Sequence, residues 1–214
     1  APNAGAAYVF VRNGATWSQQ AKLAGSDAGS SDAFGTSVAV SENTALVGSM
    51  FDSHSGGDAA GSAYVFLRSG SSWVEEAKLT SSEAAGYDYF GTSVDLVGNN
   101  AVVGAKLHET GGTYDAGSAH VFIRTGTSWS EQAILAASDA APSNDLGVSV
   151  AIEGDTVLAG ADSGEAATVT DTGAAYIFRL VTIGAWADLG LGLSGTAGVP
   201  ALAGTGYLLA GSPV

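Results

Sequence analysis

The sequence predicts an all-β fold of propeller type, built from tandem four-stranded antiparallel blades with a 56-residue repeat. Three observations carry this expectation. The stretch DAFGTSVAV (32–40) returns as DYFGTSVDL (88–96) and again as NDLGVSVAI (144–152), each copy 56 positions after the last. Within a copy the apolar pattern has period two, the signature of strands rather than helices. The composition, 46% hydrophobic with 31 Gly and only 4 Pro, suits short strands joined by tight turns.

The elements follow in order within each copy. Gly5-Ala6-Ala7-Tyr8-Val9-Phe10 recurs at 61–66, 117–122 and 173–178 without drift, and Arg12, Trp17 and Gly48 keep the same spacing in their later copies. In SAYVFLR one face carries Tyr64, Phe66 and Arg68 and the other Ala63, Val65 and Leu67, so this strand packs from both sides. The next strand starts at Trp73. In the first copy the link between these two strands is Asn13-Gly14, a hairpin signal. A third strand follows Phe34-Gly35, and a fourth, TALVGS, is joined to it by a tight turn at Glu42-Asn43. One four-stranded sheet cannot cover both of its apolar faces, and stacking on its neighbours does so. A β-solenoid is the rival, but its coils are shorter and lack these hairpins.

Bulk properties narrow function by exclusion. Lys and Arg number 7 against 21 Asp and Glu, a net charge of −14. Nucleic acid and anionic membrane surfaces need the opposite sign. No apolar run reaches the length of a membrane span. The absence of cysteine excludes disulfide and thiolate chemistry. The chain begins Ala1-Pro2-Asn3, which reads as a processed or excised piece downstream of a removed export signal.

FGTSV…ALVGS, FGTSV…AVVGA and LGVSV…VLAGA resemble FG-GAP repeats, named for a Phe-Gly opening and a Gly-Ala-Pro close. Such repeats build the propeller of integrin α subunits and occur in many bacterial secreted and surface proteins. The GSAYVF…W portion is closest to the bacterial kind. The closing Pro is replaced by Met50, Lys106 and Asp162. The resemblance implies blades at about 34–79, 90–135 and 146–186, with a partial blade at 5–23, inside a repeat region spanning 1–180. Residues 181–214 form an uncharged Gly/Ala/Leu-rich tail apart from Asp188. DLGLGLSG (188–195) and YLLAGSPV (207–214) are similar to the inner strands of the repeats, so the tail is expected either to close the ring or to begin a truncated C-terminal module. Completion between chains, as a ring or a fibre, is the alternative.

Carboxylates cluster before each FG: Asp27 and Asp32, Glu83 and Asp88, Asp139 and Asp145. With Ser hydroxyls and loop carbonyls they are the candidate calcium ligands. The competing reading, which the sequence favours, is that Asp and Ser cap turns. Integrin-type calcium sites lie between the FG and GAP strands, where this chain has only SEN, GNN or EGD, too short to wrap an ion. No cofactor is firmly implied. The loops after each GAP strand, with Asp52, His54 and Asp58 and their later counterparts, are the longest and most variable links and the place for a ligand surface, although their loose register favours plain solvated loops. Arg12 and Trp17 could stack as a cation–π pair, and His120 stands where other copies have Tyr, a tolerated packing change. No nucleophile elbow or repeated Ser-His pairing appears. The expectation is a non-enzymatic, extracellular or surface-exposed scaffold for binding or adhesion to a protein or glycan. The alternatives are a self-assembling subunit and an enzyme-associated propeller.

Overall fold

A computed structural model of the protein describes residues 2–163, 173–182 and 185–188. The described residues contain no helix. An N-terminal hairpin, β1 (Ala7–Asn13) and β2 (Thr16–Leu23), is followed by three four-stranded antiparallel sheets. The first blade is β3 (Phe34–Ser41), β4 (Thr44–Ser49), β5 (Ser62–Ser69) and β6 (Ser72–Leu79). The second is β7 (Phe90–Val97), β8 (Asn100–Ala105), β9 (Ser118–Thr125) and β10 (Ser128–Leu135). The third is β11 (Leu146–Glu153), β12 (Thr156–Ala161), β13 (Ala174–Thr182) and β14 (Ala185–Asp188). Strand order follows chain order in every sheet. The tail segments 189–195 and 207–214, expected to close the ring, lie outside the described residues.

Turn chemistry fixes the hairpins. Asn13 pairs with Thr16 around Gly14, whose φ of 61° needs the left-handed region. Ser41 pairs with Thr44 across Glu42-Asn43. Arg12 and Arg68 fold back over their turns and donate from Nε to the carbonyls of Gly14 and Gly70, at 2.7 and 2.9 Å. They are therefore committed to the turns. The cation–π contacts among the described residues are Lys22 over Tyr8 and Lys78 over Tyr64, not arginine over tryptophan.

The blades stack in series, with β7 against β3 and β4 and β11 against β7 and β8. Three apolar layers result, one at each junction. Ala7 and Leu23 meet Phe34, Val47, Tyr64 and Phe66; Leu46, Ala63 and Val65 meet Phe90, Val94 and Leu96; Val102, Ala119 and Val121 meet Leu146, Ile152 and Val157. Each fully buried Val, Leu or Phe contributes roughly 1.5–3 kcal/mol. Neither partner in a layer would be covered alone.

The repeated motif is the clasp between blades. A Cβ on Gly48 would sit 2.0 Å from the Gly91 carbonyl oxygen, and one on Gly104 would sit 1.9 Å from that of Gly147. Only a hydrogen fits. The same carbonyls accept the Ser37 hydroxyl at 2.8 Å and the Ser93 hydroxyl at 2.7 Å. The glycine and serine of FG-x-S and the glycine of the GAP strand are thus parts of one joint. A main-chain bond from Phe90 N to Ala60 O at 3.0 Å, repeated from Leu146 N to Ala116 O at 3.0 Å, ties the loop leading into β5 or β9 to the first strand of the next blade.

Candidate functional site

The loops that precede FG strands and those that follow GAP strands gather at one end of the stack. Tyr87 N donates to Asp58 O, Tyr89 N to Ala59 O, Ser143 N to Tyr114 O and Asp145 N to Asp115 O. Each post-GAP loop therefore lies on the FG loop of the next blade. The main chain enters the left-handed region just before each FG, at Ala33, Tyr89 and Asp145, each with φ 57°. It does so two residues earlier as well, at Ser31, Tyr87 and Ser143. Every residue but glycine is strained in this conformation, a bulky aromatic more than a small or Asx residue. The second repeat nonetheless places Tyr at both positions. Tyr87 is 59% exposed, and Tyr114, on the neighbouring loop, is 68% exposed. Phe51 packs edge-on against Tyr89, with centroids 5.3 Å apart.

The candidate calcium ligands are spread among several partners. Asp27 accepts from the Tyr64 hydroxyl at 2.7 Å and from Lys78 Nζ at 2.6 Å. Asp32 accepts from Gly29 N and Asp88 from Ala85 N, three residues back in each case, closing the turn before FG. Asp139 accepts from the Tyr176 hydroxyl at 2.8 Å. Glu83 is exposed. Asp145 faces Lys106, Asp162 and Asp115, and burial raises its pKa. Burial also raises that of Asp88, which feels His108, His120 and Asp115. Among the described residues no three His, Asp or Glu side chains are arranged to hold a metal ion.

Behind the loops lie polar chains that the sequence did not reveal. In the first blade Lys78 Nζ bridges Asp27 and the buried Asp52, at 2.6 and 2.8 Å, and Asp52 also accepts the Ser62 hydroxyl. Burial opposes charge on both Asp27 and Lys78. Their mutual bonds outweigh it, holding the carboxyl below and the ammonium above its ordinary range. Burial and the bond to Asp27 raise Tyr64. The second blade has His108 where the first has Asp52, and Ile134 where the first has Lys78. Here His120 Nδ1 donates to Glu131 at 2.7 Å and its Nε2 accepts the Ser118 hydroxyl at 2.8 Å. The order is that of a serine–histidine–acid relay, but Ser118 and His120 have no exposed surface, so no substrate reaches the hydroxyl. The signal in the sequence was the joint change at the 52/108 and 78/134 positions, which only the fold shows to be neighbours.

His120 carries a pH prediction. Burial lowers its pKa and outweighs the pull of Glu131, so the fold holds it neutral. The unfolded chain binds a proton near pH 6.5, and stability from this group is complete above that value and lost as pH falls below it. Glu131 is held below its ordinary range, because hydrogen bonds from His120 and Ser82 outweigh burial; its contribution is lost on further acidification. The melting temperature is expected to fall between pH 7.5 and 5.5. His120→Tyr, the residue of the other repeats, should flatten that slope, and an unchanged slope would show that His120 is not its source.

A family profile described as FG-GAP repeat matches residues 17–66, 73–122 and 129–178. The chain belongs to the FG-GAP repeat family. The matched segments run from the outermost strand of one blade through the first three strands of the next, so the profile takes in the glycines of the clasp as well as the strands. No curated protein matches the chain. Among solved structures, the N-terminal domain of Nup159 is similar with a TM-score of 0.44 and 13% identity, over 78% of this chain and 38% of that one. Among the described residues no helix is long and apolar enough to cross a membrane.

Proposed function

We propose that this FG-GAP protein is a non-catalytic binding scaffold of the cell exterior, whose ligand, a protein or a glycan, contacts the loop end of the stacked blades. One observation carries the reading: the second repeat places tyrosines at strained positions where the other repeats have Ser31 and Ser143, or Ala33 and Asp145. Exposed aromatic rings beside carboxylates offer large contact area at low entropic cost together with hydrogen-bond acceptors. The family resemblance supports an extracellular or surface setting.

The test uses substitutions borrowed from the chain itself. Tyr87→Ser and Tyr114→Asp install residues that equivalent positions already carry, so the fold should persist. A protein and glycan array probed with the wild-type chain should yield a ligand, and the double variant should lose it at an unchanged melting temperature. An array without ligand, or a ligand indifferent to both changes, contradicts the proposal. For the FG loops, we propose turn capping in place of calcium binding. A chelator is then expected to leave the melting temperature unmoved, whereas a drop would return Asp27, Asp32, Glu83, Asp88, Asp139 and Asp145 to the ligand role.

A further inference from the structure

A carboxylate on the outermost strand of each blade holds the start of the loop that leads into that blade's FG strand. In the first blade Glu75 gives both oxygens to Ser26, accepting from its N and from its hydroxyl at 2.8 Å each. In the third, Asp188 accepts from Ser138 N at 3.1 Å. In the second, Glu131 divides its oxygens: Oε2 accepts from Ser82 N at 3.0 Å and Oε1 from Nδ1 of the buried His120 at 2.7 Å. The other blades have Tyr64 and Tyr176 at the place of His120, and these donate to Asp27 and Asp139 instead. The second loop is therefore tied to a group that titrates near neutrality. Asp88, also buried, faces His120 and closes the loop on itself through Ala85 N at 2.7 Å. His108 and Phe90 complete the nearer surroundings, with ring centroids 5.4 and 5.1 Å from that of His120.

We propose that the segment from Ser82 to Asp88 is an acid-released latch: proton uptake at His120 is coupled to its lifting, which carries Tyr87 out of place. This regulation rests on the reading of the loop end as a ligand surface, and it makes binding there weaken in mild acid. The segment is the cheapest cover to move. Of its side chains Asp88 alone is buried, so lifting it breaks main-chain bonds at Ser82, Ala85 and Tyr87 but uncovers little apolar surface. Phe90, by contrast, belongs to the apolar layer between blades. A groove of about 320 Å³, lined by Ser82, Glu83, Glu131, Gln132 and Ile134, already brings solvent to the outer side of Glu131. The closed segment keeps His120 neutral, whereas a lifted one lets it bind a proton near pH 6.5. Opening should therefore gain about tenfold between pH 7.5 and 5.5. Asp88 acts in the opposite sense, because burial raises its pKa and the closed state binds that proton more readily. Glu131, held below its ordinary range, adds to opening in stronger acid. His108 faces the ring from the post-GAP loop, and Asp115 faces Asp88.

Hydrogen exchange of single amides in the full chain tests the latch without any ligand. The protection factor of Ser82 should fall about tenfold from pH 7.5 to 5.5. That of Ser26, gripped by Glu75 with no histidine behind it, should hold. His120→Tyr should make Ser82 as indifferent to pH as Ser26. Asp88→Asn, the residue that the third repeat carries at 144, should leave the fall at least as steep. Constant Ser82 protection in the wild-type chain overturns the latch, even where an array has found a ligand. Equal falls at Ser82, at Ser26 and in β8 would report unfolding of the whole chain and overturn it as well. So would a response that survives His120→Tyr or disappears in Asp88→Asn. The comparison of Ser82 with Ser26 needs no variant, so it decides the matter even where a substitution spoils the fold.

Discussion

Gly91→Ala is expected to destabilise the protein by about 3 kcal/mol or more, because it combines a strained backbone with a main-chain collision. Gly91 has φ 91°, and a Cβ built on it lies 2.4 Å from the Ser62 carbonyl oxygen. Neither neighbour can yield cheaply: Ser62 is buried in β5, and the Gly91 carbonyl is fixed by the Ser37 hydroxyl and faces Gly48. Moving the strand would open the layer holding Phe90, Val94 and Leu96. In a chain of this size a loss of that order lowers the melting temperature by roughly 10 °C. Gly98→Ala is the control. Gly98 also has positive φ, 56°, but a Cβ there meets nothing within 4 Å. Its cost should be about 1 kcal/mol. Equal losses at the two positions would mean that strain alone, and not the joint between blades, sets the effect.

Lys78→Ile should cost about 3 kcal/mol, the penalty for stranding a buried charge. Asp52 is buried, and with Lys78 gone its carboxylate keeps, among the described residues, the Ser62 hydroxyl. Asp27 loses one of its two donors but is half-exposed and can turn to water. The second repeat indicates the remedy, since it carries Ile134 and His108 at the matching places. Adding Asp52→His to Lys78→Ile should therefore recover more than half of the loss. Chemical denaturation of the two single variants and the double closes the cycle. Additive losses would show that Lys78 and Asp52 do not stabilise each other.

The fold was legible because the repeat writes its own contacts three times over. Period-two alternation in SAYVFLR, the Asn13-Gly14 turn and the FG…VG spacing are local signals, and the sheets keep them. The reason for the glycines was not legible, because Gly48 and Gly91 meet across a blade junction that no spacing rule reveals. Of the candidate site, the carboxylates before FG were visible but their partners were not. Asp27 and Tyr64 lie 37 residues apart, and Lys78 lies beyond both. His120 read as a tolerated substitution, and its bonds to Ser118 and Glu131 needed the strand pairing to appear. Arginine–tryptophan stacking failed for a simpler reason: the turn carbonyls take up Nε of Arg12 and Arg68, while the Arg124 guanidinium goes to Glu76.

The account depends on mutual cover: a blade is stable because its neighbours shield both of its faces. The most direct measurement is the amide spectrum and thermal melt of residues 90–135 prepared alone. The account predicts the narrow amide dispersion and featureless melt of an unfolded chain. Dispersed amides and a cooperative melt from that single blade would contradict it.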